Sequence, residues 1–105
     1  MFNIILRNFE NEYSRTVEFI RNYSHISSCF FDDESLDFVY IDANHDYSFI
    51  KKDLRLWYPK VKKDGWLGGH DFKAIQTGVV RAVNEFVAKQ KKELQGTDND
   101  WWIKK

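Results

Sequence analysis

Asp42 and Asp71 are the residues through which this chain could do chemistry. Each closes a short apolar, β-prone run: Phe38-Val39-Tyr40-Ile41 leads into Asp42, and Trp66-Leu67-Gly68-Gly69 leads into His70-Asp71. Counted from Asp37 and from Trp66, each carboxylate is the sixth residue of its segment. If the two segments are neighbouring parallel strands, roughly 4.8 Å apart, the carboxylates stand at similar height. They then form half a cage for a divalent cation, since hard cations take oxygen ligands. The competing readings are that Asp42 caps the helix after it and that Asp71 makes an ordinary loop hydrogen bond.

The element between the two runs decides their geometry. Ile50, Leu54, Trp57 or Tyr58, and Val61 recur at three- and four-residue steps, with Lys51, Lys52, Asp53 and Arg55 on the other side, which is the pattern of an amphipathic helix. Asp46 stands at its N-cap, and Lys60, Lys62 and Lys63 suit the negative end of its dipole. Pro59 tightens or kinks the last turn, and Lys63-Asp64-Gly65 reads as a turn into the second strand. A helix between adjacent strands makes them parallel and the crossover right-handed, so both strands end at one edge. In open α/β sheets that edge carries the ligand site.

At 105 residues the chain is one small domain, and 43% hydrophobic with 17% aromatic residues is enough apolar material for a core. Sixteen basic and sixteen acidic residues cancel, which removes the electrostatic footprint of a general nucleic-acid binder. The basic clusters at 51–63 and 89–92 read as solvated helix faces. Cys29 is alone beside Phe30-Phe31 and reads as a small buried hydrophobe rather than a nucleophile, in a reducing compartment. No apolar run approaches the ~20 residues of a bilayer span, and Arg7, Glu10 and Glu12 interrupt any signal-peptide pattern, so a soluble cytoplasmic protein is expected.

The flanking segments read as support. Phe2, Ile5, Leu6 and Phe9 follow helical spacing over residues 2–12, Thr16 to Arg21 reads as a strand, and residues 22–25 as the loop that ends it. Residues 26–31 read as a turn or two of helix. From Thr77 a second helix buries Val79, Val83, Phe86 and Val87, turns Arg81, Glu85 and Lys89 outward, and frays toward Gly96. Residues 97–100 form a turn and 101–104 a last strand. Trp57, Tyr58, Trp66, Trp101 and Trp102 read as core rather than as a stacking platform, with exposed tryptophans at the strand ends the sign of carbohydrate binding.

Four of these pieces together resemble the class I S-adenosylmethionine-dependent methyltransferases, in the metal-dependent small-molecule and sugar O-methyltransferase branch. They are Ile41-Asp42-Ala43-Asn44-His45-Asp46-Tyr47, Lys52-Asp53-Leu54, Gly68-Gly69-His70-Asp71, and the helix carrying Gly78-Val79, Ala82-Val83 and Phe86. The likeness is to the second half of that domain, from about Tyr13 onward. It implies a partial Rossmann-like α/β fold, with mainly parallel strands, flanking helices and the first strands missing.

By that resemblance Asp42 and Asp71 are metal ligands, His70 is a third ligand, and His45 is the general base for a substrate hydroxyl. Ser24 lies near the adenine of S-adenosylmethionine, and Asp42 also faces the cofactor. Mg²⁺ or another divalent cation and a hydroxylated small-molecule or sugar acceptor are implied with them. The residue types suit the reaction: a hard cation lowers the hydroxyl's pKa, and a histidine titrating near neutrality takes its proton.

The glycine-rich turn that holds the family's cofactor has no counterpart among Gly65, Gly68, Gly69, Gly78 and Gly96. The chain therefore reads as the carboxyl-terminal half of a methyltransferase, and the alternative is a non-catalytic half-domain. Without the family's intervening strands, the 37–42 strand has a bare edge. Either the 16–21 strand moves in beside it, or two chains or a complementing chain cover it, a homodimer being expected.

Overall fold

The structure is a computed structural model that describes residues 2–3, 9–11, 14–16, 20–42, 45–73, 75–97 and 99–105. Its strands are β1 (Phe2–Asn3), β2 (Phe9–Asn11), β3 (Ser14–Thr16), β4 (Asn22–Tyr23), β5 (Leu36–Ile41), β6 (Val61–Gly69), β7 (Leu94–Thr97) and β8 (Asp100–Lys104). Its helices are α1 (Ser24–Ser27), α2 (Tyr47–Trp57) and α3 (Thr77–Gln90), with 3-10 turns at Ser28–Phe30 and Tyr58–Lys60.

The strand–helix–strand unit is β5–α2–β6, and β5 and β6 pair in parallel. Ile50, Leu54 and Trp57 are the buried residues of the α2 stripe, and Val61 is buried at the start of β6. Pro59 occupies the 3-10 turn, where its fixed φ and missing N–H are tolerated. The turn expected at Lys63-Asp64-Gly65 lies inside β6 as a bulge. Leu36 is opposite Val61 and Phe38 opposite Trp66, and Asp64 takes a positive φ of 68°.

The main sheet has the order β5-β6-β8-β7 and is mixed, not mainly parallel. β8 runs antiparallel to both β6 and β7, because β7 and β8 form a hairpin. The second helix does not fray to Gly96. It closes at Lys91, which adopts a left-handed φ of 55° while Lys91 N–H bonds the Ala88 carbonyl and Lys92 N–H the Val87 carbonyl. This is the closure glycine usually makes, which is why the sequence hid it.

α2 and α3 pack on one side of the sheet. Val79, Ala82 and Val83 of α3 meet Ile41, Leu67, Trp101 and Ile103 of the strands in one cluster. Each fully buried aliphatic side chain contributes about 1.5–3 kcal/mol.

The amino-terminal expectations change most. Residues 2–3 and 9–11 are strands rather than parts of a helix, β1 pairing with β4 and β2 with β3. Of the expected 16–21 strand, Thr16 belongs to β3, residues 17–19 lie outside the described residues, and residues 20–21 are not strand. β3 therefore does not sit beside β5 among the described residues. The expected 22–25 loop is strand and helix, and Cys29 is exposed rather than buried.

Candidate active site

The carboxyl ends of β5 and β6 build the site. Ile41 stands opposite Gly69, and the ladder continues as His70 N–H donates to the Ile41 carbonyl at 3.1 Å. Asp42 is therefore level with His70, and Asp71 comes one residue further on, with a positive φ of 64°. Asp tolerates that left-handed region better than bulkier residues. Gly78 brings α3 against the loop that carries His45. A side chain there would place its Cβ 2.7 Å from the His45 carbonyl oxygen and 2.9 Å from Tyr47 N.

Asp42, His45 and Asp71 offer ligand atoms that all lie within 4.8 Å of one another. Ligands at roughly 2.0–2.6 Å from a hard cation lie at most about 5 Å apart across it, so the spacing fits. The donor set, two carboxylates and an imidazole, suits Mg²⁺ or a similar ion. Asp71 is the buried member, while Asp42 and His45 are exposed.

Around Asp71 two imidazoles and an ammonium group converge. His45 Nε2 is 2.5 Å from Asp71 Oδ2, His70 Nδ1 is 3.1 Å from Oδ1, and Lys73 Nζ is 3.7 Å from Oδ1. Burial alone would raise the Asp71 pKa, but His45, His70 and Lys73 outweigh it and hold the carboxyl below its usual 3.8. His70 thus joins through Asp71 and is not one of the three clustered ligands.

Ser24 stands elsewhere. Its buried hydroxyl accepts from Trp57 Nε1 at 3.1 Å and bonds the Asp53 carboxylate, tying α1 under α2. Asp53 is itself buried, contrary to the solvated position expected for it, and burial pushes its pKa up. Asp46 holds the N-cap position, but its side chain makes no cap bond.

The sequence missed Tyr40 and Asp100. The Tyr40 hydroxyl donates to Asp100 Oδ1 at 2.7 Å, beside the site. Burial raises the Tyr40 pKa, and the Asp100 bond and the charges of Asp100, Asp42 and Asp71 raise it further. Nothing local announces this pair. Only the antiparallel return of β8 brings its first residue, Asp100, to the end of β5.

An α/β sheet with acidic and imidazole side chains gathered where parallel strands end defines a ligand-binding class of fold. The methyltransferase-domain family matches residues 3–72, and the chain belongs to that family. Ten solved chains are similar, among them the structure of the O-methyltransferase NovP, with a TM-score of 0.59 and 24% identity. That likeness, which is one of fold, covers 69% of this chain and 30% of the other, so the chain spans about 30% of the length of NovP. No curated protein matches. No helix among the described residues is long and apolar enough to cross a membrane.

Proposed function

We propose that this chain supplies the acceptor-binding and hydroxyl-ionising part of an S-adenosylmethionine-dependent O-methyltransferase acting on a hydroxylated small molecule or sugar. The observation that carries the reading is the convergence of Asp42, His45 and Asp71 within 4.8 Å in a chain of the methyltransferase-domain family. Asp42 and Asp71 hold a divalent cation, which when bound supplies a positive charge that lowers the pKa of an acceptor hydroxyl. With Nε2–H donating to Asp71, the ring of His45 presents Nδ1 to take the hydroxyl proton. The Asp71 carboxylate, 2.5 Å away, then stabilises the imidazolium.

The donor's cradle does not fit these residues. Gly65, Gly68 and Gly69 lie in β6, Gly78 in α3 and Gly96 in β7, so none forms a turn after an early strand. Ser24 is committed to Trp57 and Asp53. No methyl-transfer step is therefore assigned to this chain by itself.

Calorimetric titration with Mg²⁺ tests the cation site. Binding that weakens roughly tenfold or more in Asp42→Asn and in Asp71→Asn is expected. A wild-type chain that gives no heat at millimolar Mg²⁺ sinks the reading. His45→Ala separates that residue's roles, since a pure base leaves Mg²⁺ affinity unchanged and a ligand does not.

A further inference from the structure

Both oxygens of Asp71 already face nitrogen atoms of the chain. Oδ2 meets His45 Nε2 at 2.5 Å, while Oδ1 meets His70 Nδ1 at 3.1 Å and Lys73 Nζ at 3.7 Å. The three contacts differ in kind. At 3.7 Å the lysine is too far for a hydrogen bond, and what remains is attraction between opposite charges. An ammonium has donors and no lone pair, so Lys73 cannot itself ligate a metal ion as His45 can. What it offers the carboxylate is a positive charge, and that is also what a divalent cation would offer.

The backbone brings Lys73 to this place. Its N–H donates to the Asp71 carbonyl at 2.9 Å, its own carbonyl accepts from Gln76 N–H at 2.9 Å, and between them Phe72 N–H donates to the Asn99 carbonyl at 2.8 Å. Phe72 also packs against the core, and Asp71 turns the chain with its positive φ of 64°. The lysine stem is thereby folded back over the carboxylate two residues before it. The side chain of Lys73 is 41% exposed and that of Asp71 12%. The ammonium can therefore swing into water while the carboxylate stays fixed. Both residues belong to the loop that joins β6 to α3, so the contact involves none of the amino-terminal strands.

We infer that Lys73 is a built-in competitor of the divalent cation: its ammonium neutralises Asp71 whenever no cation is bound, and it must withdraw when one arrives. This role rests on the reading of Asp42, His45 and Asp71 as a cation site. Repulsion between the ammonium and a divalent ion is twice that for a monovalent one at the same distance, and water and salt screen much of it. A weakening of Mg²⁺ affinity by roughly tenfold is the size to expect.

Calorimetric titration of the whole chain with Mg²⁺ tests it. Lys73→Met keeps the stem and removes the charge, and is expected to bind Mg²⁺ roughly tenfold more tightly than the wild type at low ionic strength. The gain should shrink as added salt screens the charge, a dependence that a merely structural change would not produce. Lys73→Arg retains the charge and should bind like the wild type. Melting curves without Mg²⁺ check that each variant folds, and Lys73→Gln replaces Lys73→Met should that one fail. Wild-type binding that the neutral variant leaves unchanged or weakens overturns the competitor role and leaves the cation site standing. So does a tightening shared by Lys73→Arg, which would make the loop and not the charge its cause. No binding in any of the chains overturns both the competitor and the site.

Discussion

Trp101 and Trp102 are consecutive residues of one strand and live in different solvents. Trp101 is 1% exposed beneath α2 and α3, together with Ile41, Leu67 and Ile103. Trp102 faces the other side with Phe38, Tyr40 and Trp66, all of them exposed or half-buried. Alternation along a strand makes the two sides of a sheet chemically independent. Here both sides are aromatic, and only one is covered among the described residues. Residue type set the potential for burial, and the covering helices decided where it was realised.

Paired truncations give the largest test of that difference. Trp101→Ala is expected to cost about 3–5 kcal/mol, as for other buried aromatics, against a total of about 5–15 kcal/mol for a domain. Trp102→Ala is expected to cost about 1 kcal/mol, near the centre of the distribution for point changes. Urea unfolding measures both. Equal costs would mean that the second side is buried in solution, which is what a protein layer over it would do.

Gly68 sharpens the same contrast with a smaller effect. In its row of the sheet Tyr40 stands on one side and Trp102 on the other, and the two rings meet across it with centroids 5.6 Å apart. A Cβ at Gly68 would lie 2.2 Å from Trp102 Cε3, and its three nearest atoms all belong to that ring. Gly68→Ala is therefore expected to cost about 1–3 kcal/mol by overpacking, and well under half of that in a Trp102→Ala background. A cost that survives removal of Trp102 would place the obstacle in the backbone.

The covered side was the legible one in the sequence. Ile50, Leu54 and Trp57 at helical spacing, and the apolar run of β5, fixed the strand–helix–strand unit and so the edge where Asp42 and Asp71 meet. Periodicity could report that a residue is apolar, but not whether anything covers it. By periodicity Trp66 and Trp102 therefore read as core, and they lie half-buried on the other side. The direction of β8 depends on a hairpin whose partner, β7, was hidden by Lys91 closing a helix without glycine. With it went the Tyr40–Asp100 pair, which needs β8 to return antiparallel. The short amino-terminal strands pair only over two or three residues, too few for alternation to be seen, and helical spacing prevailed.

Asp53 shows that the covered side is not uniformly apolar. Burial raises its pKa above the ordinary 3.8, against the opposing pull of Ser24, His25 and Lys52. An acid whose folded pKa is raised holds its proton more tightly when folded, so folding stability falls as pH rises from the unfolded value through the folded one. Asp53→Asn keeps an acceptor for Ser24 and removes the charge. Its melting temperature is expected to exceed that of the wild type by a few degrees at neutral pH. The advantage should disappear as the pH falls below 3.8. A variant destabilised at neutral pH would show that the carboxylate's partners outweigh its burial.

On the open side the equivalent change is the smallest. Tyr40→Phe removes the 2.7 Å bond to Asp100 but leaves the ring, and since the group is 39% exposed the loss is expected to be about 0.5 kcal/mol at neutral pH. The sign then reverses in alkali. Burial and the Asp100, Asp42 and Asp71 carboxylates raise the folded pKa of Tyr40 above its ordinary 10.0. The unfolded chain thus ionises first, and wild-type stability drops as pH climbs beyond that value. Phe cannot ionise, so the gap between variant and wild type should close above pH 10, and tyrosinate absorbance should lose its latest-titrating group. Identical alkaline melting curves would mean that solvent on this side screens the three carboxylates from the phenol.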